Sequence, residues 1–183
     1  QGRINEAEES CRKSITLKPD HVEAYNILGV IQYEQRKFNE AEESYRKIIE
    51  LKPDLAEAYN NLSNTLKEQL KFNEAEESSR KAIALKPEYV DAHYKMGIIL
   101  YEQRKFNEAE ESYRKVIALK SDHVEAYNNL GVLFHEQQKF NDAETSYKTA
   151  ISLKPDYHLA YSNLGNTLEE LGRLEEAIAN YNK

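Results

Sequence analysis

YEQRKFNEAEESYRK, Tyr33 to Lys47, recurs letter for letter from Tyr101 to Lys115. Eight of its fifteen residues are charged. A catalytic centre has little use for a second copy of itself, whereas a stacked structural unit does. The copies lie 68 residues apart, twice 34, and the same spacing orders the rest of the chain. LKPD begins at Leu17, Leu51 and Leu153, LKPE at Leu85 and LKSD at Leu119. Ala7, Ala41, Ala75, Ala109, Ala143 and Ala177 recur at the same step. A fixed period of this size is the mark of a repeat array. Fifteen identical residues inside a diverged array point to internal duplication rather than to shared chemistry.

The composition fits a soluble chain with a sizeable core. Of the 183 residues 40% are apolar and 31% charged, which is neither a membrane protein nor a disordered one. No apolar run approaches the ~18 residues that a membrane span needs. The opening residues, QGRINEAEES, lack the apolar core of a signal peptide. The first unit starts part-way through, so an upstream targeting segment would not be seen here, and the default expectation is a cytoplasmic protein. Cys11 is the single cysteine, which excludes an internal disulfide and a cysteine-rich zinc site. Net charge is −7, and Lys and Arg are interleaved with Glu, which argues against a phosphate-binding stripe and a nucleic-acid partner.

Each period reads as two helices. The first opens with D-x-x-E, as in Asp20 and Glu23, a capping-box variant that also suits the helix dipole. Ala24, Tyr25, Leu28 and Gly29 then fall on overlapping turns. The second opens with N-x-x-E, as in Asn39 and Glu42, and turns Ala41, Tyr45, Ile48 and Ile49 inward. Pro53 closes it, because the residue before a proline is driven out of the α region. The linkers allow only antiparallel neighbours, and strand alternation is absent. The spacing predicts eleven helices, near 4–17, 22–35, 38–51, 56–69, 72–85, 90–103, 106–119, 124–137, 140–153, 158–171 and 174–182.

AYNNLGVLFHEQQKFNDAETSYKTAISLKPD, from Ala126 to Asp156, resembles a tetratricopeptide (TPR) repeat column by column. Tyr127, Leu130, Gly131, Phe134, Phe140, Ala143, Tyr147, Ala150 and Pro155 occupy the family's positions. The resemblance implies an all-α, right-handed superhelix of antiparallel helix pairs with a concave surface. It divides a single array, 1–183, into full repeats 22–55, 56–89, 90–123 and 124–157, with partial ones at 1–21 and 158–183. Ser63, Ser79 and Ser121 depart from the pattern, replacing the small glycine, the aromatic and the proline. One pair cannot bury its own apolar faces, so stability comes from neighbour interfaces. The partial repeat 1–21 leaves Ile4, Ala7 and Ile15 partly bare, which points to possible end-to-end self-association.

Enzyme signals fail. HEQQK at His135 begins like a zinc-protease motif, but Lys139 stands where the second histidine belongs. The histidines do not cluster, Cys11 occupies the Tyr45 column, and no glycine-rich phosphate loop exists. No catalytic residue, metal or cofactor is expected. The AEES runs are a solvated acidic face paired with Arg and Lys at helical spacing.

By the geometry the resemblance implies, first-helix residues face the concavity. These are Asn26 and Tyr33, then Asn60, Asn61, Asn64 and Lys67, then Tyr94, Ile98 and Tyr101. Asn128 and Asn129, and finally Asn163 and Asn166, complete the candidate binding residues. Asparagine is a poor helix former, by roughly 0.5 kcal/mol relative to alanine. Its amide both donates and accepts, which suits the backbone of an extended peptide. Acids at the first-helix heads (Glu23, Glu57, Asp91, Glu125) oppose a carboxylate clamp and favour neutral or mildly basic peptides. The Asn-rich helices are also similar to the arrays that precede O-linked sugar transferase and bacterial sulfotransferase domains. The expected function is a non-catalytic scaffold for a protein or peptide partner. The alternative is a substrate-docking segment of such a glycosyltransferase or sulfotransferase.

Overall fold

A computed structural model of the protein describes residues 2–183; Gln1, the first residue of the partial repeat 1–21, lies outside the described residues. Among the described residues eleven α-helices occur and no strand. They are α1 (Gly2–Leu17), α2 (Val22–Glu34), α3 (Phe38–Leu51), α4 (Ala56–Glu68), α5 (Phe72–Leu85) and α6 (Val90–Glu102). There follow α7 (Phe106–Leu119), α8 (Val124–Glu136), α9 (Phe140–Leu153), α10 (His158–Glu170) and α11 (Leu174–Tyr181). The chain forms two compact units, Gln1–Ile99 and Leu100–Lys183, whose boundary falls inside α6. In the first unit α1 packs on α2, α2 on α3, α3 on α4 and α4 on α5. In the second the same order joins α7 to α8, α8 to α9, α9 to α10 and α10 to α11. The all-α solenoid of helix pairs is thus the architecture expected from the period.

The helix starts differ from expectation. The N-cap of α2 is His21, one residue past Asp20, and its side chain makes no capping bond. In α8 the cap is His123, whose Nδ1 accepts from the Ala126 N–H at 3.3 Å, while Asp122 lies outside. The N-cap of α3 is Lys37, which places Asn39 inside the first turn. The physical reason lies in the preceding turn. Arg36 adopts φ 60°, and Lys37 N donates to Gln32 O at 2.8 Å while Arg36 N donates to Tyr33 O at 2.8 Å. This pair of bonds is a Schellman closure of α2. It leads straight into the next helix and leaves no position for an asparagine cap. Leu70, Arg104 and Gln138 repeat the left-handed backbone, and Gly172 does so at φ 73°.

Second helices end as the LKP motif predicts, with Lys52 at φ −140° and ψ 85°. Proline is nevertheless not required. Lys120, before Ser121, adopts φ −142° and ψ 91°, and its N–H donates to Val116 O at 2.8 Å.

Small residues set the helix spacing. Ala41, Ala75, Ala109, Ala143 and Ala177 are fully buried. A Cβ added at Gly29 would lie 2.8 Å from the Tyr45 ring, and at Gly131 2.6 Å from that of Tyr147. The tyrosine therefore fills the space that the glycine leaves open. The core of the first unit gathers Val22, Ala41, Tyr45, Ile48, Ala58, Leu62, Leu66, Ala75 and Ile99. Ile4 is exposed, and Ala7 and Ile15 are half-buried.

Candidate functional site

In the first unit, α2, α4 and α6 each present one helix face built from the positions that the repeat leaves outside its core. On α2, Val22, Ala24, Leu28, Gly29 and Gln32 are buried, which turns Asn26, Ile27, Val30 and Glu34 to solvent. Ile27 is 51% exposed and Val30 44%. Neither was selected from the sequence. The signal was available, because each lies 34 residues before a selected asparagine, Asn61 and Asn64.

Two of the expected amides are already engaged. Asn64 Nδ2 donates to the Tyr33 hydroxyl at 2.7 Å, and Asn60 Nδ2 to the Tyr89 hydroxyl at 3.2 Å. Asn60 is buried, with no hydrogen-bond partner for its Oδ1. These bonds tie α4 to Tyr33 of the preceding repeat and to Tyr89 at the end of its own repeat. Tyr33 also meets the Phe38 ring edge-on, centroids 5.5 Å apart. Asn61, Tyr94 and Ile98 are half-buried, and Asn26 is exposed.

The cations of this face are held internally. Lys67 Nζ lies 2.7 Å from Glu68 Oε1. Lys95 Nζ donates to the Asn60 carbonyl at 3.5 Å. Burial pushes the Lys95 ammonium below its usual range; Asp91 opposes that shift and Lys67 adds to it.

In the second unit the amides bond mostly to one another. Asn163 Nδ2 donates to Asn128 Oδ1 at 3.0 Å, and Asn128 Nδ2 to Asn129 Oδ1 at 3.4 Å. Asn128 is buried, and Asn129 and Asn163 are half-buried. Asn166 is exposed and accepts from the Tyr181 hydroxyl at 2.7 Å. Tyr101 is half-buried beside Phe106, ring centroids 5.8 Å apart. His135 Nδ1 lies 3.0 Å from Thr167 Oγ1. A cavity of about 80 Å³ lies among Val132, His135, Glu136, Tyr147, Asn163 and Asn166. That is room for a few waters at most.

Profiles of the tetratricopeptide repeat match residues 22–55, and 1–21 with 56–89; a TPR repeat profile matches 97–138 and 133–172. The chain belongs to the tetratricopeptide repeat family. No curated protein matches it. Among solved structures it is similar to MamA, at 25% identity and TM-score 0.78, covering 85% of this chain and 91% of MamA. PilF of Pseudomonas aeruginosa is 19% identical with TM-score 0.84, covering 98% of this chain and 82% of PilF. YrrB, described as "a TPR protein with an unusual peptide-binding site", is 20% identical with TM-score 0.74, covering 94% and 89%.

The TPR frame also explains the remaining concavities. A groove of about 770 Å³ lies between α3 and α5 over α4, floored by Ile49, Tyr59, Leu62, Leu66 and Ala84. The second unit carries its counterpart 68 residues on, about 490 Å³, where Phe134 stands at the Leu66 position. The Cys11 thiol is buried, and burial with the nearby Glu8 pushes its pKa up, away from the reactive thiolate. Among the described residues no group of three His, Cys, Asp or Glu side chains is placed to hold a metal ion. No described helix is long and apolar enough to cross a membrane.

Proposed function

We propose that this TPR chain is a non-catalytic scaffold that binds a peptide or protein segment on the first-helix face of the unit Gln1–Ile99. The observation that carries this is the exposure of Ile27 and Val30 on one turn of α2. They lie on the same face as the exposed amide of Asn26 and at the positions that Asn61 and Asn64 hold on α4. Paired exposed β-branched side chains lose nothing by being covered, and covering them is favourable at roughly 25 cal/mol per Å². The described peptide-binding site of YrrB, on the same fold, supports a peptide as the ligand.

The asparagines take a smaller part than their number suggests. With Asn60, Asn64 and Asn128 engaged by protein partners, Asn26 and Asn61 are the amides left for a peptide backbone on α2 and α4. The alternative, a docking segment of a larger glycosyltransferase or sulfotransferase, rests on the likeness of the Asn-rich first helices alone, and the engaged amides add no support to it. The chemistry needed is association alone, without cofactor or metal.

Selection of a random linear peptide library against the intact chain, followed by fluorescence anisotropy with the selected sequences, tests the reading. The Ile27→Ser/Val30→Ser variant is expected to keep its melting temperature and to bind at least about tenfold more weakly, the loss of two apolar contacts. Equal binding by parent and variant overturns the site.

A further inference from the structure

We infer that this face selects a segment whose apolar residues are flanked by lysine or arginine. The inference rests on the docking reading above and names the chemistry of the partner. Carboxylates border the face in two rows. Glu23, Glu57 and Asp91 stand at the second residue of α2, α4 and α6; Glu34 and Glu68 stand at the last residue of α2 and α4. Eleven residues separate the rows along each helix, about 16 Å at ~1.5 Å per residue. Ile27, Val30 and Asn61 lie between them, with Ile98 on α6.

The lysines nearest these rows, Lys67, Lys95 and Lys86, are each engaged within the unit. Lys67 closes on its neighbour Glu68, and Lys95 is turned to the Asn60 carbonyl with its ammonium disfavoured by burial. Lys86 lies 3.6 Å from Glu57, and the side chain of Glu57 remains half exposed. The turns that enter these helices carry one cation and one acid each: Lys18 with Asp20, Lys52 with Asp54, Lys86 with Glu88. Glu34 and Asp91 are exposed, and Glu23, 3.7 Å from His21, has a side chain 72% exposed. A ligand therefore meets an apolar strip with Glu23, Glu57 and Asp91 along one border and Glu34 at the other, Glu68 being paired with Lys67. Basic residues on either side of its apolar core complement that pattern, and acidic ones are repelled. Each flanking cation at such solvated carboxylates strengthens binding about two- to fivefold, and salt weakens it.

The test is the residue bias of sequences selected from a random linear peptide library against the intact chain. The expected result is enrichment of Lys and Arg flanking an apolar pair. In the Glu23→Gln/Glu34→Gln/Asp91→Asn variant the preference of lysine-flanked over serine-flanked versions of one selected peptide is expected to shrink about fourfold or more, with serine-flanked binding unchanged. Enrichment of acids, absence of charge bias, or a preference that survives the triple variant overturns the inference. These outcomes leave docking intact if the Ile27→Ser/Val30→Ser variant still loses binding. Failure to select any sequence, or equal binding by that variant, overturns the docking reading and this inference with it.

Discussion

Ser63 Oγ lies 2.5 Å from Ser79 Oγ, at the two positions where other repeats set a glycine against a tyrosine ring. Ser63 Oγ also donates to the Ala75 carbonyl at 2.8 Å. The two departures from the repeat pattern in 56–89 are therefore one change. Enlarging the glycine leaves no room for a ring, and the shortened partner supplies a hydroxyl that satisfies the new one. Both serines are fully buried, so an unmatched hydroxyl there would be costly.

The pair predicts strong coupling. Ser79→Tyr alone drives a ring into the Ser63 side chain, and Ser63→Gly alone opens a void and leaves the Ser79 hydroxyl unmatched. Each is expected to cost about 1–3 kcal/mol. The double variant recreates the pair found at Gly29 and Tyr45, and its stability is expected to return toward the parent. Chemical denaturation of the four species gives the coupling energy; additive losses would disprove the pairing.

Leu70 is a position where glycine should stabilise the first unit. It combines φ 61° with a side chain 73% exposed. Glycine holds the corresponding position in the last repeat, as Gly172 at φ 73°. A left-handed backbone costs an L-residue about 1–2 kcal/mol, partly offset by the entropy that glycine adds to the unfolded chain. Leu70→Gly is expected to raise stability by about 0.5–1 kcal/mol, read as a higher melting temperature.

Tyr33→Phe separates a structural role for Asn64 from a ligand-binding one. Removing the hydroxyl breaks the 2.7 Å bond from Asn64 Nδ2 and leaves that amide half-buried without it. A loss of about 0.5–1.5 kcal/mol in unfolding free energy is expected. An unchanged melting curve would show that this bond contributes nothing to the stack.

Acid should loosen the first unit through Glu42. Its carboxylate accepts from Arg46, from Gln69 at 2.8 Å and from Lys71 at 2.9 Å. Burial penalises the charge, yet the hydrogen bonds from Lys71, Gln69 and Arg46 outweigh it and hold the carboxyl below its ordinary range. A depressed pKa means that this stabilisation is complete above the unfolded value, ~4.3, and is lost as pH falls through the folded one. Glu42→Gln is expected to flatten the acid limb of the melting temperature against pH. A limb of unchanged slope would remove Glu42 from the account.

Alkali acts on the same unit through Tyr45. Burial pushes its phenol up to about 12, with Tyr33 and Glu34 adding to the shift. A raised pKa keeps its stabilisation below the unfolded value, ~10, and loses it as pH rises toward the folded one. Tyrosinate absorbance should therefore show late ionisation that coincides with unfolding.

The period by itself determined the number and placement of the helices, because apolar spacing, the closing LKP or LKS motif and the alanine step are local and recur in every repeat. Predicted and observed helix bounds differ by at most two residues. The second-helix starts depend on a local feature the sequence hides: a left-handed residue such as Arg36 leaves no signature when it is not glycine. What each polar side chain does was decided only by stacking. Asn60, Asn64 and Asn128 are alike in sequence to Asn26 and Asn61, yet their partners lie 29 to 35 residues away along the chain. Ile27 and Val30 likewise look like core residues in a helical wheel, and they stay bare because the first-helix face has no helix laid over it. Helix pattern is written in contacts three and four residues apart, whereas the binding face depends on which side chains from neighbouring repeats reach one another first.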